Sequence, residues 1–277
     1  MKYDFEQAIS EIDNSGYFVI PDALTTPEIA KLKAMLERDH TKYSPHYVNS
    51  STTGHGLNDK TFEKVVYNMH NKDINYLPYL NHPSYMPLVE KLLKEGSFEN
   101  NEPIHLLNIS ARCPKKGSPQ QQLHLDSNLP GKNAFPLIMV VILMLDDFNE
   151  HNGTTRLVPG SHKRDCYAAN GLNYKDEVLL EASAGSVLVF NGAMWHGGSS
   201  KTLSDSRWGI VLGYGRWFIK PSFDFSANTP NDIYQKLSPA QKDLLGFNTT
   251  PPLDEFTRMT RKSKKPEWFG QHYQLPK

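Results

Sequence analysis

Leu137-Ile138-Met139-Val140-Val141-Ile142-Leu143-Met144-Leu145 is the longest uninterrupted apolar run of the chain. It is far too short to span a bilayer, so it predicts a strand of a soluble core. Other short apolar segments, separated by Gly and Pro turn residues, lie around it: Ile104 to Ala111, Thr155 to Val158, Glu177 to Glu181, Ser186 to Phe190 and Trp208 to Phe218. Several short strands at this spacing favour a sandwich or barrel over a parallel α/β sheet.

Helices are predicted on both sides of these strands, from the spacing of apolar residues and from capping residues. They are the segment around Phe5, Ile9 and Ile12 before Gly16, the segment opened by Thr25-Thr26-Pro27-Glu28, about Ser84 to Glu95, and the segment opened by Ser238-Pro239. A short strand is expected at Tyr17 to Ile20. The sequence therefore predicts one mainly β domain: helical support and a lid region in 1–100, a β core in 104–220, and a helical or irregular extension in 221–277.

Charge and cysteine content restrict the partners and the location. Lys plus Arg equal Asp plus Glu at 30 each, so no bulk electrostatic attraction to nucleic acid or to a membrane surface is expected. Two cysteines, Cys113 and Cys166, and an N-terminus without an apolar signal region are typical of a cytoplasmic protein. We expect a monomer or homodimer that binds a small molecule.

A polar segment from His40 to Asn75 interrupts the predicted helices and lacks clear periodicity. Long irregular segments in a compact domain are often functional loops. Its central part is a candidate substrate lid, although a surface loop without ligand contact is an equal alternative. The candidate substrate residues are Tyr47, His55, Asn58 and Tyr67, together with Trp195 from the strand region.

The tripeptide His124-Leu125-Asp126 is followed far along the chain by His196. Residues i and i+2 of a strand face the same side, so His124 and Asp126 can both point into a barrel. His196 follows a predicted strand and turn, which is a suitable place for a third ligand. Two imidazoles and one carboxylate on one face of a metal suit non-haem Fe(II) oxygen chemistry. Structural histidines, a metallohydrolase and a non-catalytic metal-binding barrel are the alternatives.

Arg207 lies at the start of a predicted strand, shortly after His196. The planar guanidinium group can make a bidentate contact with a carboxylate, which would suit a co-substrate held beside the metal. Arg216 is the nearest competitor for this role. The tripeptide alone is weak support, because a chain with this composition contains roughly 0.6 such matches by chance.

Several ordered motifs of the chain resemble the phytanoyl-CoA dioxygenase family of Fe(II)- and 2-oxoglutarate-dependent oxygenases. They are Gly16 to Asp22 before a capped helix, Leu123 to Asp126, Gly153-Thr154-Thr155-Arg156-Leu157-Val158-Pro159-Gly160-Ser161-His162, Gly185 to Phe190, and His196 to Ser199. The resemblance implies a double-stranded β-helix, of jelly-roll or cupin-like type. It also implies Fe(II) bound by His124, Asp126 and His196, with O₂ and 2-oxoglutarate as co-substrates, Arg207 on the far carboxylate and Asn108 near the co-substrate.

The sequence departs from the family pattern at two places, and the resemblance leaves two substrate classes open. The loop after His196 has Thr202 and Ser204 where an asparagine is common, and the presence of Asp126 is not typical of the halogenating relatives. We expect hydroxylation, desaturation or ring formation on a small specialised metabolite. An acyl-CoA or fatty-acid-type substrate is the alternative, with the phosphates near Lys115-Lys116 and Lys264-Lys265.

Overall fold

The computed structural model describes residues 3–47, 62–131, 134–172 and 174–249. The strands are β1 Tyr17–Ile20, β2 Glu63–Tyr67, β3 Ile104–Pro114, β4 Ile138–Met144, β5 Thr155–Leu157, β6 Val178–Leu179, β7 Val187–Asn191, β8 His196–Gly198 and β9 Gly209–Arg216. The α-helices are α1 Phe5–Ser15, α2 Thr26–Tyr43, α3 Met86–Lys94, α4 Phe225–Asn228, α5 Asn231–Tyr234 and α6 Pro239–Leu244. Short 3-10 helices span Ser44–His46, Met69–Asn71, Ile74–Leu80, Phe98–Asn100 and Ser161–Lys163.

The strands form two antiparallel sheets. The larger has six strands in the order β1-β7-β4-β9-β3-β2, and the smaller has three in the order β6-β5-β8. The prediction of a mainly β jelly-roll fold with flanking helices is confirmed, although within the described residues the sheets do not close into a barrel.

The larger sheet is covered on both faces. Alternate residues such as Met139, Val141 and Leu143 of β4 pack in one apolar cluster with residues of α1, α2 and α3. The intervening residues Ile138, Val140 and Ile142 belong to a second cluster on the opposite face. All seven residues of β4 are buried, which explains its unbroken apolar sequence.

Capping side chains begin α1, α2 and α6, and the sequence predicted those at Thr25 and Ser238. Asp4 caps α1 by accepting a hydrogen bond from the Gln7 backbone at 3.0 Å, and a capping box of Thr25 and Glu28 opens α2. The C-terminal helix α6 begins with a capping box at Ser238, as predicted. Within the described ranges, the chain has no helix with the length and apolar character that crossing a membrane requires.

The sheet extends beyond the predicted core of 104–220. β1 pairs with β7 and β2 pairs with β3, so two segments from the first hundred residues supply the two edges of the larger sheet. β2 was not predicted, because its short sequence lies inside a polar segment that gives no alternating pattern. The expectation of a wholly irregular segment from His40 to Asn75 was therefore wrong: α2 continues to Tyr43 and β2 occupies Glu63–Tyr67.

Candidate active site

The side chains of His124, Asp126 and His196 converge. The Nε2 atom of His124 lies 3.9 Å from Asp126 Oδ1, and the Nε2 atom of His196 lies 3.6 Å from Asp126 Oδ2. One ligand atom from each residue falls within 4.8 Å of the other two. This is the donor set of a metal site that has ligands on one face and open positions on the other.

Backbone hydrogen bonds place the three side chains. His124 and His196 pair as an isolated antiparallel bridge, with N···O distances of 2.9 Å in both directions. The backbone N–H of Asp126 donates to the Gly192 carbonyl at 2.7 Å. The expected strand through 124–126 does not form, because only His124 pairs with a neighbour. His196 begins β8, a strand that was not predicted because glycines follow it.

The two histidines present the same ring nitrogen to the centre. Nδ1 of His124 contacts the Gln122 carbonyl at 3.0 Å, and Nδ1 of His196 contacts the Met194 carbonyl at 3.0 Å. A carbonyl only accepts, so Nδ1 donates and the lone pair of a neutral ring lies on Nε2. Burial and the neighbouring His196 lower the pKa of His124 to about 4, which keeps it neutral and able to ligate near pH 7.

The triad faces a cavity of about 670 Å³. Its apolar wall comes mainly from the inner face of the larger sheet, while its polar groups come from β3, the loop before His124, and β8. The residues that line it include Glu63, Tyr67, Asn108, Arg112, Ser118, Gly153, Arg207, Gly213, Lys220 and Phe223.

Arg207 is the buried cation of this cavity. Its Nη2 group donates to the Gly153 carbonyl, and its guanidinium carbon lies 4.2 Å from the centre of the Phe148 ring. The Nε atom is buried and has no hydrogen-bond partner among the described residues. Burial lowers the pKa of Arg207 to about 10, so the group remains charged near pH 7. Such a group is suited to a carboxylate that enters the cavity.

Arg216 has a different environment. Its Nε and Nη2 groups donate to the carbonyls of Pro136 and Glu95, both at 2.8 Å. It does not belong to the described lining of the cavity. The structure thus brings Arg207, and not its competitor, to the metal-ligand triad.

Asn108 reaches the cavity through an irregularity in β3. The pairing of β3 with β9 shifts between Leu106 and Asn108, and both Leu107 and Asn108 line the cavity. Opposite it, a Cβ atom on Gly213 would lie 2.7 Å from Asn108 Nδ2. The bulge and the glycine together make room for this amide.

The structure places the predicted substrate residues in different environments. Tyr67 lines the cavity, and the half-buried Tyr47 lies behind it, with 5.3 Å between ring centres. Trp195 packs elsewhere: the centre of its ring lies 5.0 Å from that of Tyr174, and its Nε1 group donates to the backbone carbonyl of Cys166 at 3.2 Å. A substrate contact from Trp195 is therefore not supported, because the ring is buried in this separate cluster. His55 and Asn58 lie outside the described residues.

An ion pair in the cavity was missed by the sequence analysis. Arg112 Nη1 donates to Glu63 Oε1 at 2.9 Å, and the Glu63 side chain is only 2% exposed. Arg112 could have been suspected, because it shares a strand face with Asn108. Glu63 gave no signal, since its strand β2 was not predicted.

Comparisons with known proteins agree with this geometry. The profile of the family "Phytanoyl-CoA dioxygenase (PhyH)" matches residues 12–208. Dioxygenase trt7 of Aspergillus terreus is 25% identical over 253 residues, which cover 88% of this chain and 84% of trt7.

Solved structures show the same fold. HygX from Streptomyces hygroscopicus, crystallised with nickel, 2-oxoglutarate and hygromycin B, superposes with a TM-score of 0.62 at 17% identity, over 77% of this chain and 88% of HygX. SnoN, a non-haem α-ketoglutarate-dependent epimerase from nogalamycin biosynthesis, gives a TM-score of 0.58 at 18% identity, over 78% of this chain and 85% of SnoN.

The matched range includes the triad, Asn108, Arg207 and the Glu63–Arg112 ion pair, whereas Gly213, Lys220 and Phe223 of the cavity lie beyond it. It also spans more than half of the chain and both sheets apart from β9. The chain belongs to the phytanoyl-CoA dioxygenase family.

Proposed function

We propose that the protein is an Fe(II)- and 2-oxoglutarate-dependent dioxygenase that oxidises a C–H bond of a small molecule. One observation carries this proposal: a two-histidine, one-carboxylate triad shares a single cavity with a buried guanidinium that has an unpartnered Nε atom. The triad suits Fe(II), and the guanidinium suits the distal carboxylate of a 2-oxo acid. A metallohydrolase would use the triad but would leave Arg207 without a ligand.

The chain's own residues have distinct tasks in this reaction. His124, Asp126 and His196 would hold Fe(II), and their backbone-bonded Nδ1 groups fix the two rings. Arg207 would orient 2-oxoglutarate by its distal carboxylate, and the apolar wall from β4 would exclude water from the reacting atoms. When bound, Fe(II) with 2-oxoglutarate supplies the oxygen activation and the C–H oxidation, while the protein selects the carbon that reacts.

The substrate is proposed to be a small specialised metabolite. The cavity volume of about 670 Å³ lies in the range of small-molecule sites. HygX was crystallised with hygromycin B, and SnoN comes from nogalamycin biosynthesis, so two proteins of this fold are associated with such compounds. The acyl-CoA alternative would need a phosphate site. Lys115 and Lys116 are partly or fully exposed, whereas Lys264 and Lys265 lie outside the described residues.

A binding experiment tests the proposed cofactors. Under anaerobic conditions, Fe(II) and 2-oxoglutarate should together give a visible charge-transfer band. His196→Ala should abolish the band, whereas Arg207→Gln should keep metal binding but weaken 2-oxoglutarate binding by about one hundredfold, the scale of a buried charge-assisted contact. Arg216→Gln is the matched control, since this arginine bonds only to backbone carbonyls outside the cavity. Absence of the band in the wild-type protein at saturating ligand would refute the proposal.

Turnover separates the remaining alternatives. A metabolite panel should contain compounds that stimulate succinate formation, and this stimulation should require O₂. Product formation that continues without O₂ and 2-oxoglutarate would identify a hydrolase instead. Binding of both ligands without any stimulated turnover across a broad panel would favour a non-catalytic barrel.

We also propose that the three parts of the chain form one domain. Ile12 and Leu36 from the N-terminal part, Met139 from the β core and Leu244 from the C-terminal part belong to one apolar cluster. A core shared in this way supports a single cooperative unit. The cytoplasmic location and the monomeric or homodimeric state stay predictions from the sequence.

A further inference from the structure

Two arginines occupy neighbouring positions at one end of the cavity. Arg112 of β3 pairs with Gly209 of β9, and Arg207 lies two residues before Gly209. Alternate residues of a strand share a face, and both arginines line the cavity. Lys220 follows the other end of β9, whereas the Phe223 ring lies 6.3 Å from the Tyr67 ring, which in turn lies 6.0 Å from the Arg112 guanidinium. The arginine pair therefore marks the end at which a co-substrate carboxylate would bind.

Glu63 is the acidic partner at this end. It extends from the edge strand β2, opposite Pro114 of β3, and accepts a hydrogen bond from Arg112 at 2.9 Å. Burial raises the pKa of Glu63 to about 6, while the charges of Arg112 and Arg207 both act in the opposite direction. Glu63 therefore contacts Arg112 directly and lines the same cavity as Arg207.

Among the charged side chains that line the cavity, apart from the triad and Lys220, the formal charges sum to one net positive charge. Arg112 and Arg207 contribute two positive charges and Glu63 one negative charge. The neighbouring ion pairs Lys201–Asp205 and Lys33–Asp146 are each neutral overall. One net positive charge matches one carboxylate, and a buried charge without a counter-charge is costly.

We propose that Glu63, acting through Arg112, is a positioning residue that sets the net charge of this subsite. The subsite then accepts the end of a ligand that carries one negative charge, and binds that end no more tightly than turnover requires. This inference rests on the proposed function. It assigns to Glu63 and Arg112 a role that the metal triad and Arg207 do not supply: discrimination by the charge of the ligand's distal group. Loss of the Glu63 charge should leave two uncompensated guanidinium groups and should favour more anionic ligands.

Three ligands with the same chelating end test the proposal. They are 2-oxopentanoate, 2-oxoglutarate and 2-oxo-4-phosphonobutanoate, whose distal groups carry no charge, one negative charge and up to two negative charges. Their dissociation constants are measured by anaerobic titration of the Fe(II)-loaded protein, and by calorimetry with Mn(II). The ratio of the dissociation constants of two ligands reports only on their distal groups, because metal chelation is common to all three ligands.

Glu63→Gln should tighten 2-oxoglutarate binding roughly three- to tenfold, as expected for removing one charge at short range inside a protein. The affinity for 2-oxo-4-phosphonobutanoate should increase more than the affinity for 2-oxoglutarate, and the affinity for 2-oxopentanoate should be unchanged. Arg112→Gln should weaken 2-oxoglutarate binding, because the remaining charges of Arg207 and Glu63 cancel. The double variant Glu63→Gln/Arg112→Gln should bind 2-oxoglutarate within about twofold of the wild-type dissociation constant, because Arg207 then supplies the same single net positive charge as the wild-type set. Glutamine can still accept the Arg112 hydrogen bond, so Glu63→Gln should fold.

Glu90→Gln is the matched control, since Glu90 belongs to a surface pair with Lys94 on α3 and should leave all three constants unchanged. Equal shifts for all three ligands in Glu63→Gln would overturn the proposal, as would unaltered or weaker binding of 2-oxoglutarate. If the wild-type protein binds none of the three ligands, the proposed function itself fails. If it prefers 2-oxoglutarate to 2-oxopentanoate but Glu63→Gln does not change that preference, only the inference about Glu63 fails.

Discussion

Single residues differ in how visible their roles are in the sequence. His124, Asp126, His196 and Arg207 were predicted because they lie in ordered motifs, and the structure brings all four to one cavity. Glu63 could not be predicted, since its role depends on the pairing of β2 with β3 and not on any spacing. The predicted substrate role of Trp195 stays without support for a similar reason, because adjacency to His196 in sequence does not decide which way a ring points.

His70 is expected to make the protein acid-sensitive. It is fully buried, neither ring nitrogen has a hydrogen-bond partner among the described residues, and burial lowers its pKa to about 3. The unfolded chain binds a proton below the ordinary pKa of about 6.5, while the folded chain does not until about pH 3. Stability is therefore lost as the pH falls through this window, by up to about 1.4 kcal/mol per pH unit.

His70→Leu should remove this contribution. Urea unfolding of the metal-free protein at pH 7.5 and pH 5 should show a smaller loss of unfolding free energy in the variant than in the wild type. The buried His105 titrates in the same direction and is present in both proteins, so the difference isolates His70. An identical loss in both proteins would contradict the prediction.

Secondary-structure elements were predicted where local signals decide them. The caps of α2 and α6 and the apolar runs of β4 and β7 are local, and these elements form where expected. β2 and β8 are held by their neighbours, so short or glycine-containing sequences become strands without a local signal. The bulge at Asn108 is likewise a property of pairing.

The junction of α1 and β1 should be sensitive to substitution. Gly16 has a φ of +94°, and a Cβ atom there would lie 2.7 Å from Met194 Sδ and 2.8 Å from His162 Nδ1. Gly171 has a φ of +75° but no atom within 4 Å of its Cβ position. Gly171→Ala should cost roughly 1–2 kcal/mol from backbone strain alone. Gly16→Ala should cost about 1–3 kcal/mol more from overpacking.

Thermal and chemical unfolding of both glycine variants measures these costs. The difference between the two variants reports the packing at the junction, since the left-handed backbone is common to both. Equal destabilisation by the two substitutions would show that the junction relaxes and that the contacts with Met194 and His162 carry no cost.

At the scale of the whole molecule, the larger sheet separates the main apolar cluster, which it shares with the helices, from the cavity that holds the candidate site. Because the strand spacing and the family motifs both indicate a mainly β fold with flanking helices, the general architecture was predictable. The order of strands in the larger sheet was not, because pairing between distant segments leaves no trace in a single sequence. The proposed metal ligands lie on two distant segments of the chain, which the His124–His196 bridge brings together.

Metal binding should therefore stabilise the entire fold. A ligand at one hundred times its dissociation constant adds about 2.7 kcal/mol to the unfolding free energy. For a domain of this size, that corresponds to a rise in Tm of roughly 5–10 °C. Mn(II) should produce this rise in the wild type and in the control His151→Ala, whose histidine is exposed, but not in His196→Ala. A rise in His196→Ala equal to that in the wild type would place the bound metal elsewhere.

The strand order has a consequence for synthesis on the ribosome. Among neighbours in the larger sheet, only β2 and β3 are consecutive in the chain, and β9 joins β3 to β4. Until residue 216 has emerged, β3 and β4 each present an unpaired edge to solvent or to a chaperone. A nascent chain stalled before β9 would hold two unjoined fragments of a sheet, and such edges invite aggregation.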